Sequence, residues 1–287
     1  METIVSILGL GTTYALLAAG LVILYKASRV VNFAHGELAI VGGYVFYSTS
    51  LVWHGNALAG AIASTVISVV FGLVIYLSLM RRLVGEATYV AAMVTIGLSI
   101  ILKALIVIVW RSQSLGLPLG RETIYTFQGG GRVAAIDAVT VGVGVVFFIL
   151  LSIFFRYARL GRQFRGAAEN ALLASQRQVN VNLILGFAWA LAVFSACLAG
   201  VLYGARSMLA PQSTIIGING LTAALVGGLD SVRGAALGGL IVAAAIFVTA
   251  RTIDPALSDA VPFVILLVVM TLRPWGLFGT QEELDRV

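Results

Sequence analysis

The residues best able to do chemistry sit where polar groups are expensive. Asn32, His35 and Glu37 share one short stretch, Val31-Asn32-Phe33-Ala34-His35-Gly36-Glu37, set directly between two apolar runs. An amide, an imidazole and a carboxylate there could line or gate a path for a polar solute, because ionisable groups inside apolar segments are rare and mark such sites. The alternative is structural: Asn32 and Glu37 cap helix ends and His35 makes one interhelical hydrogen bond. Lys103 is a second costly group, seven residues from the outer end of the run 89–110. Thr95 and Ser99, two turns and one turn before it, fall near the same helical face. Facing a cavity, the ammonium would attract a carboxylate; facing lipid, it would snorkel across roughly 10 Å to the interface. Asn219 is the third group, the polar centre of Gly217-Ile218-Asn219-Gly220 in the glycine-broken stretch 215–229.

Little else in the chain supports covalent or nucleotide chemistry. A phosphate-binding loop needs a Gly-Lys pair, and the only lysines follow Tyr25 and Leu102. His35 and His54 stand too far apart for metal ligands on adjacent helical turns. A base–nucleophile pair of His35 with Ser48 or Ser99 is conceivable but has no motif behind it. No GxSxG and no potassium-filter pattern occurs. Cys197 is the single cysteine, so no disulfide framework exists. The expectation is a protein with no metal and no cofactor of its own, in which ATP, if used, is bound by another chain.

These groups must be positioned by membrane helices. Of 287 residues 60% are apolar and 10% charged, with mean hydropathy +1.04, whereas a soluble domain carries about 25% charge. A spanning helix needs roughly 20 apolar residues. Candidate runs are 4–25, 38–53, 58–80, 89–110, 138–155, 183–209, 235–250 and 261–272. With 215–229 as a discontinuous or re-entrant element, the chain reads as an all-α integral membrane protein with about eight to nine transmembrane helices. Met1 and Glu2 precede the first run without a basic region or cleavage pattern, as in an uncleaved helix. Broken helices in two halves are the trace of an inverted repeat. Val226-Gly227-Gly228 after Asn219 faintly echoes Val41-Gly42-Gly43 after Asn32. Gly234 and Gly238 form a GxxxG of the kind that packs helices.

Lysine and arginine set the orientation. Placing 156–182 inside puts 11 basic residues on the cytoplasmic side and four, Arg111, Arg121, Arg132 and Arg251, outside. The net charge of +6 is therefore read as topology and not as a nucleic-acid site. The outer connection 111–137 is expected to be irregular with one short hairpin. The cytoplasmic stretch 156–182 is the longest polar segment, so a single permease domain fills 1–287 and no soluble domain is left over. Within it Arg162, Arg165 and Glu169 fall at i, i+3 and i+7 of a short helix, which could lie on the membrane, dock into another protein or serve only as a solvated positive loop.

The runs Gly11-Thr12-Thr13-Tyr14-Ala15-Leu16, Val31 to Glu37, Arg156-Tyr157-Ala158-Arg159-Leu160-Gly161-Arg162 leading into Ala168-Glu169-Asn170, and Gly227-Gly228-Leu229-Asp230-Ser231-Val232-Arg233-Gly234 resemble the branched-chain amino acid type of ABC-transporter permease. The likeness covers nearly the whole chain and is closer to the H-type subunit than to the M-type. It implies a multi-pass protein of the bacterial inner membrane that works by alternating access. The implied partners are a second, M-type permease, two cytoplasmic ATPases and a periplasmic substrate-binding protein. It further implies that Arg162, Arg165, Glu169 and Asn170 belong to the segment that couples to the ATPase. The chain departs from the family pattern at Gln178, where a glycine is usual, and at Lys103, where an uncharged amide is usual. Such permeases carry urea, short amides, neutral amino acids or aromatic carboxylates, and sugar permeases share the architecture. A lysine in the path would suit a carboxylate. A self-sufficient channel or secondary carrier is the rival from another class.

Overall fold

Breaks in the apolar pattern become breaks in helices. The computed structural model describes residues 2–111, 113–117, 119, 124–126, 132–169 and 180–280. Ten helices are found among them: α1 (Glu2–Ser28), α2 (His35–Val52), α3 (Ala57–Ser78), α4 (Thr88–Trp110), α5 (Ala135–Tyr157), α6 (Arg159–Glu169), α7 (Val181–Arg206), α8 (Ile216–Gly227), α9 (Val232–Thr252) and α10 (Val261–Leu272). Side chains cap several starts, as short polar residues do for exposed N–H groups. Asn56 accepts from the N–H groups of Leu58 and Ala59, Asn180 from Leu183, and Ser231 from Gly234. Two strands, β1 (Ile124–Thr126) and β2 (Arg132–Ala134), pair antiparallel with Tyr125 opposite Val133, the short hairpin expected of the 111–137 connection.

Six of the described helices, α1, α3, α4, α5, α7 and α9, are long and apolar enough to cross a membrane. With α2, α8 and α10 there are nine apolar helices, matching the expected number of apolar elements. Of the other three, α2 has 18 residues but carries His35 and Glu37 in its first turn, and α8 and α10 have 12 residues each and at 1.5 Å per residue reach only about 18 Å. α8 and α10 are part-span elements.

The core is the crossing of α1 and α7. Residues 15–24 of α1 are buried almost throughout, as is most of α7, whereas α3, α4 and α5 expose broad apolar faces of Val, Ile and Leu. α1 and α7 run antiparallel: Arg206 reaches the Ser6 carbonyl at 3.2 Å, and the Ser195 hydroxyl donates to the Leu16 carbonyl at 2.7 Å. Farther along, Gly20 faces the Ala192 carbonyl. α3 packs on α7 through Gly72 and Gly186, and α9 packs on α1 through Gly11 and Gly239. Gly234 and Gly238 seat α9 against α8 at Gly227 and Ala223, the close approach that a GxxxG allows.

Each central helix is followed by a return without α-helix, which after α7 includes a 3-10 turn over Pro211–Ile215, and then by a second helix that packs on the other centre. α1 leads through 29–34 into α2, which packs on α7 at Cys197 and Gly200; α7 leads through 207–215 into α8, which packs on α1 at Leu17. Since α1 and α7 are antiparallel, the same unit occurs twice in opposite orientation, an inverted repeat at the level of elements. The glycine pairs noted in sequence are not its register. Gly42 and Gly43 pack on Cys197 and Leu209, whereas Gly227 meets Gly234 and Gly228 takes φ 106° against Gly279. The equivalent positions are Gly36 and Gly217, whose backbones touch.

Candidate functional site

The two helix starts meet about halfway through the bundle. His35 lies against Gly20, eight residues from the end of α1, which is about 12 Å of helix in a hydrocarbon core about 30 Å thick. Arg29, at φ 56°, turns the chain back after α1. The Asn32 side-chain oxygen then accepts the Ala34 N–H at 3.0 Å, a local turn that launches α2. The Phe33 N–H goes to the Thr95 hydroxyl oxygen on α4 at 3.2 Å, and that hydroxyl donates to the Ala92 carbonyl at 2.8 Å. Thr95 thus satisfies a backbone group that the break would otherwise orphan in an apolar interior.

Asn32 and His35 are each 2% exposed. The Asn32 amide nitrogen makes no hydrogen bond, and the His35 ring, buried on all sides, has the Leu17 backbone of α1 as its polar neighbour. α2 starts without a side-chain cap, so its positive end faces this depth, whereas a 3-10 turn over Pro211–Ile215 runs directly into α8 and the Ile216 N–H is bonded to the Ser213 and Thr214 carbonyls. Asn219, in the first turn of α8, donates to the Tyr14 hydroxyl at 3.0 Å. That bond ties the second break to α1.

A separate groove lies on the outer side of this crossing. Glu37, Ser99 and Lys103 line it together with Ile100, Ala104 and Val107, and its volume is about 530 Å³. Two clamps set α4 over α2: the Thr95–Phe33 bond at one end, and at the other the Trp110 indole, which stacks on Tyr44 at 5.1 Å and donates to Ser48 at 2.8 Å. Lys103 is close enough to act electrostatically on Glu37, yet the two form no ion pair. Ser99 donates to its own helix at Ile96 and keeps oxygen lone pairs free. The residues singled out in sequence thus fall into three adjoining places: Asn32, His35 and Thr95 at the first break, Asn219 at the second, and Glu37, Ser99 and Lys103 in the groove.

At the basic end, α6 is held by Phe164, which is 1% exposed and meets the Phe155 ring at 5.1 Å. Arg162 and Arg165 are exposed, with Arg162 donating to the Tyr157 carbonyl at 2.7 Å. Glu169 closes the helix; its side chain, all of Asn170 and the turn at Gln178 lie outside the described residues. Sequence reading missed two features. Phe164 was hidden among charged neighbours. The Asp137–Arg206 ion pair, with Ser6 donating to Asp137 at 3.0 Å, joins three segments that only the fold brings together.

Comparison with known proteins agrees with this architecture. The family model for the permease component of the branched-chain amino acid transport system matches residues 3–270. The high-affinity branched-chain amino acid transport system permease protein LivH of Escherichia coli (strain K12) is 29% identical over 95% of this chain and 93% of its own. The corresponding protein BraD of Pseudomonas aeruginosa is 29% identical over 98% and 96%. A probable LivH permease of Methanocaldococcus jannaschii is 26% identical over 95% and 90%. No solved structure matches significantly. A match over nearly the whole chain, on a bundle with two paired helix breaks, makes this chain a multi-pass membrane permease that belongs to the branched-chain amino acid transport family.

Proposed function

We propose that this chain is one membrane subunit of an ATP-driven importer in the bacterial inner membrane, and that it conducts an aliphatic α-amino acid as its zwitterion. The observation that carries this reading is the groove that Glu37, Ser99 and Lys103 line together with apolar residues, without an ion pair between the two charges. An α-amino acid presents a carboxylate to Lys103, an ammonium to Glu37 and an aliphatic side chain to Ile100, Ala104 and Val107. Two separated charges are costly in a low-dielectric setting. A solute that bridges them offsets that cost, and one lacking either charge does not. Asn32, His35, Thr95 and Asn219 shape the broken-helix centre beside this path and let it open alternately to each side.

The partners in this proposal are a second, M-type permease facing the groove, two cytoplasmic ATPases and a periplasmic substrate-binding protein. ATP is bound and hydrolysed by the ATPases, and this chain needs no cofactor or metal. The segment 156–182, with Arg162, Arg165, Glu169 and Asn170, is the ATPase contact. Support comes from the exposed basic helix α6 anchored to the bundle by Phe164.

The test is uptake by the complex reconstituted with its receptor and ATPases. Lys103→Gln and Glu37→Gln should each lower the maximal rate for leucine-like substrates by about tenfold or more, the scale of one charge-assisted hydrogen bond. ATP-independent uptake by this chain alone would refute the importer reading. Unchanged uptake in both variants would refute the groove.

A further inference from the structure

We propose that the basic end of the bundle holds the phosphate headgroup of an anionic phospholipid in a pocket between α1, α5, α6 and the α8–α9 turn. The pocket has a volume of about 580 Å³, and four cations line it: Lys26, Arg156, Arg165 and Arg233. They come from four separate segments, so the fold and not a local charge run assembles them. The one carboxylate at the rim, Asp230, accepts both the N–H and the hydroxyl of Thr280, the former at 2.9 Å. No described acidic side chain pairs with any of the four cations; the ion pair among the described residues is Arg206–Asp137, at the opposite end. Four like charges converging on one cavity repel unless an anion joins them.

The floor of the pocket identifies the anion's source. Ile23, Phe155 and Phe164 give it an apolar base. Ile23 stands three residues inside Lys26 and Ser152 four inside Arg156, about 5–6 Å below the basic rim. The pocket therefore begins among the cations and descends to the depth at which acyl chains start. A soluble phosphate would use the rim and leave the floor empty, and an ATPase surface would have to enter the membrane boundary to reach it. A phospholipid fits both parts, and basic pockets between helices on the cytoplasmic side are known to take such headgroups. Since α6 forms one wall, the lipid would hold that helix against α1 and α5. The inference rests on the pocket alone and is independent of the transported solute.

The test is native mass spectrometry of the full-chain complex, purified in mild detergent and supplied with phosphatidylglycerol or cardiolipin against phosphatidylethanolamine. Wild type is expected to retain the anionic lipids selectively. Arg156→Gln/Arg233→Gln should weaken retention about 30-fold, from roughly fivefold per cation. Arg156→Lys/Arg233→Lys should largely keep it, which guards against a folding defect as the cause. The control Arg81→Gln/Arg82→Gln removes two cytoplasmic charges outside the pocket and should leave retention unchanged. Equal retention of anionic and zwitterionic lipids overturns the proposal, as does equal loss in the control. So does wild type that binds millimolar inorganic phosphate without selecting lipid.

Discussion

Asp137 and Arg206 form a largely buried ion pair, with side chains 6% and 23% exposed. Asp137 also takes the Ser6 hydroxyl, while Arg206 reaches the Ser6 carbonyl, so one cluster ties the start of α1 to the start of α5 and the end of α7. Removing one member leaves the other charge unpaired in a largely buried site, a loss of about 3 kcal/mol. Asp137→Asn should therefore lower the unfolding temperature in detergent clearly, and Asp137→Asn/Arg206→Met should recover much of it. Equal unfolding temperatures for wild type and the single variant would show that the pair contributes nothing. The sequence could not reveal this cluster, because its members are separated by more than 60 residues and each alone looks like an ordinary helix-end charge. Asn32, His35, Glu37 and Lys103 were legible for the opposite reason: each is out of place in its own local run. What their local context could not supply was the division of labour, in which Asn32 and Thr95 build the break while Glu37 and Lys103 face a groove.

At the level of elements, the meeting of α2 and α8 depends on two residues without side chains. A Cβ on Gly36 would strike the Thr214 carbonyl and Gly217, and one on Gly217 would strike the Gly36 backbone. Backbone cannot rotate away as a side chain can, so each collision should cost about 1–3 kcal/mol as overpacking does. Gly36→Ala and Gly217→Ala should both lower thermal stability and slow uptake. Gly97→Ala, with open space around it in α4, should be neutral or slightly stabilising, since alanine favours a helix by roughly 0.5–1 kcal/mol. A Gly36→Ala variant as stable and active as Gly97→Ala would remove the helix crossing from the mechanism. The sequence displayed both breaks, since polar and glycine residues interrupt otherwise continuous apolar runs. It misled on register, because Gly42-Gly43 and Gly227-Gly228 look equivalent yet serve unrelated contacts. Glycine is abundant in this chain, and only the fold shows which glycines meet.

Over the whole molecule, the question is how an event at the basic end could reach the helix breaks. A row of aromatic rings runs inward from α6: Phe164 to Phe155 at 5.1 Å, Phe155 to Phe154 at 5.4 Å, and Phe154 to Phe187 on α7 at 5.0 Å. α7 then continues to the return that leads into Gly217. A packed row of this kind moves as a unit because well-filled interiors deform little, and it gives α6 a physical hold on the second break. On the proposed coupling role, Phe164→Ala should loosen α6 while α1, α7 and α9 stay packed. The assembled transporter would then hydrolyse ATP at near-normal rates yet take up substrate at least about tenfold more slowly per ATP, as a loss of roughly 1.4 kcal/mol in coupling would produce. Phe164→Leu, which keeps most of the buried volume, should restore much of the uptake. A Phe164→Ala complex with unchanged uptake per ATP, measured alongside intact thermal stability of the membrane core, would sever the aromatic row from transport.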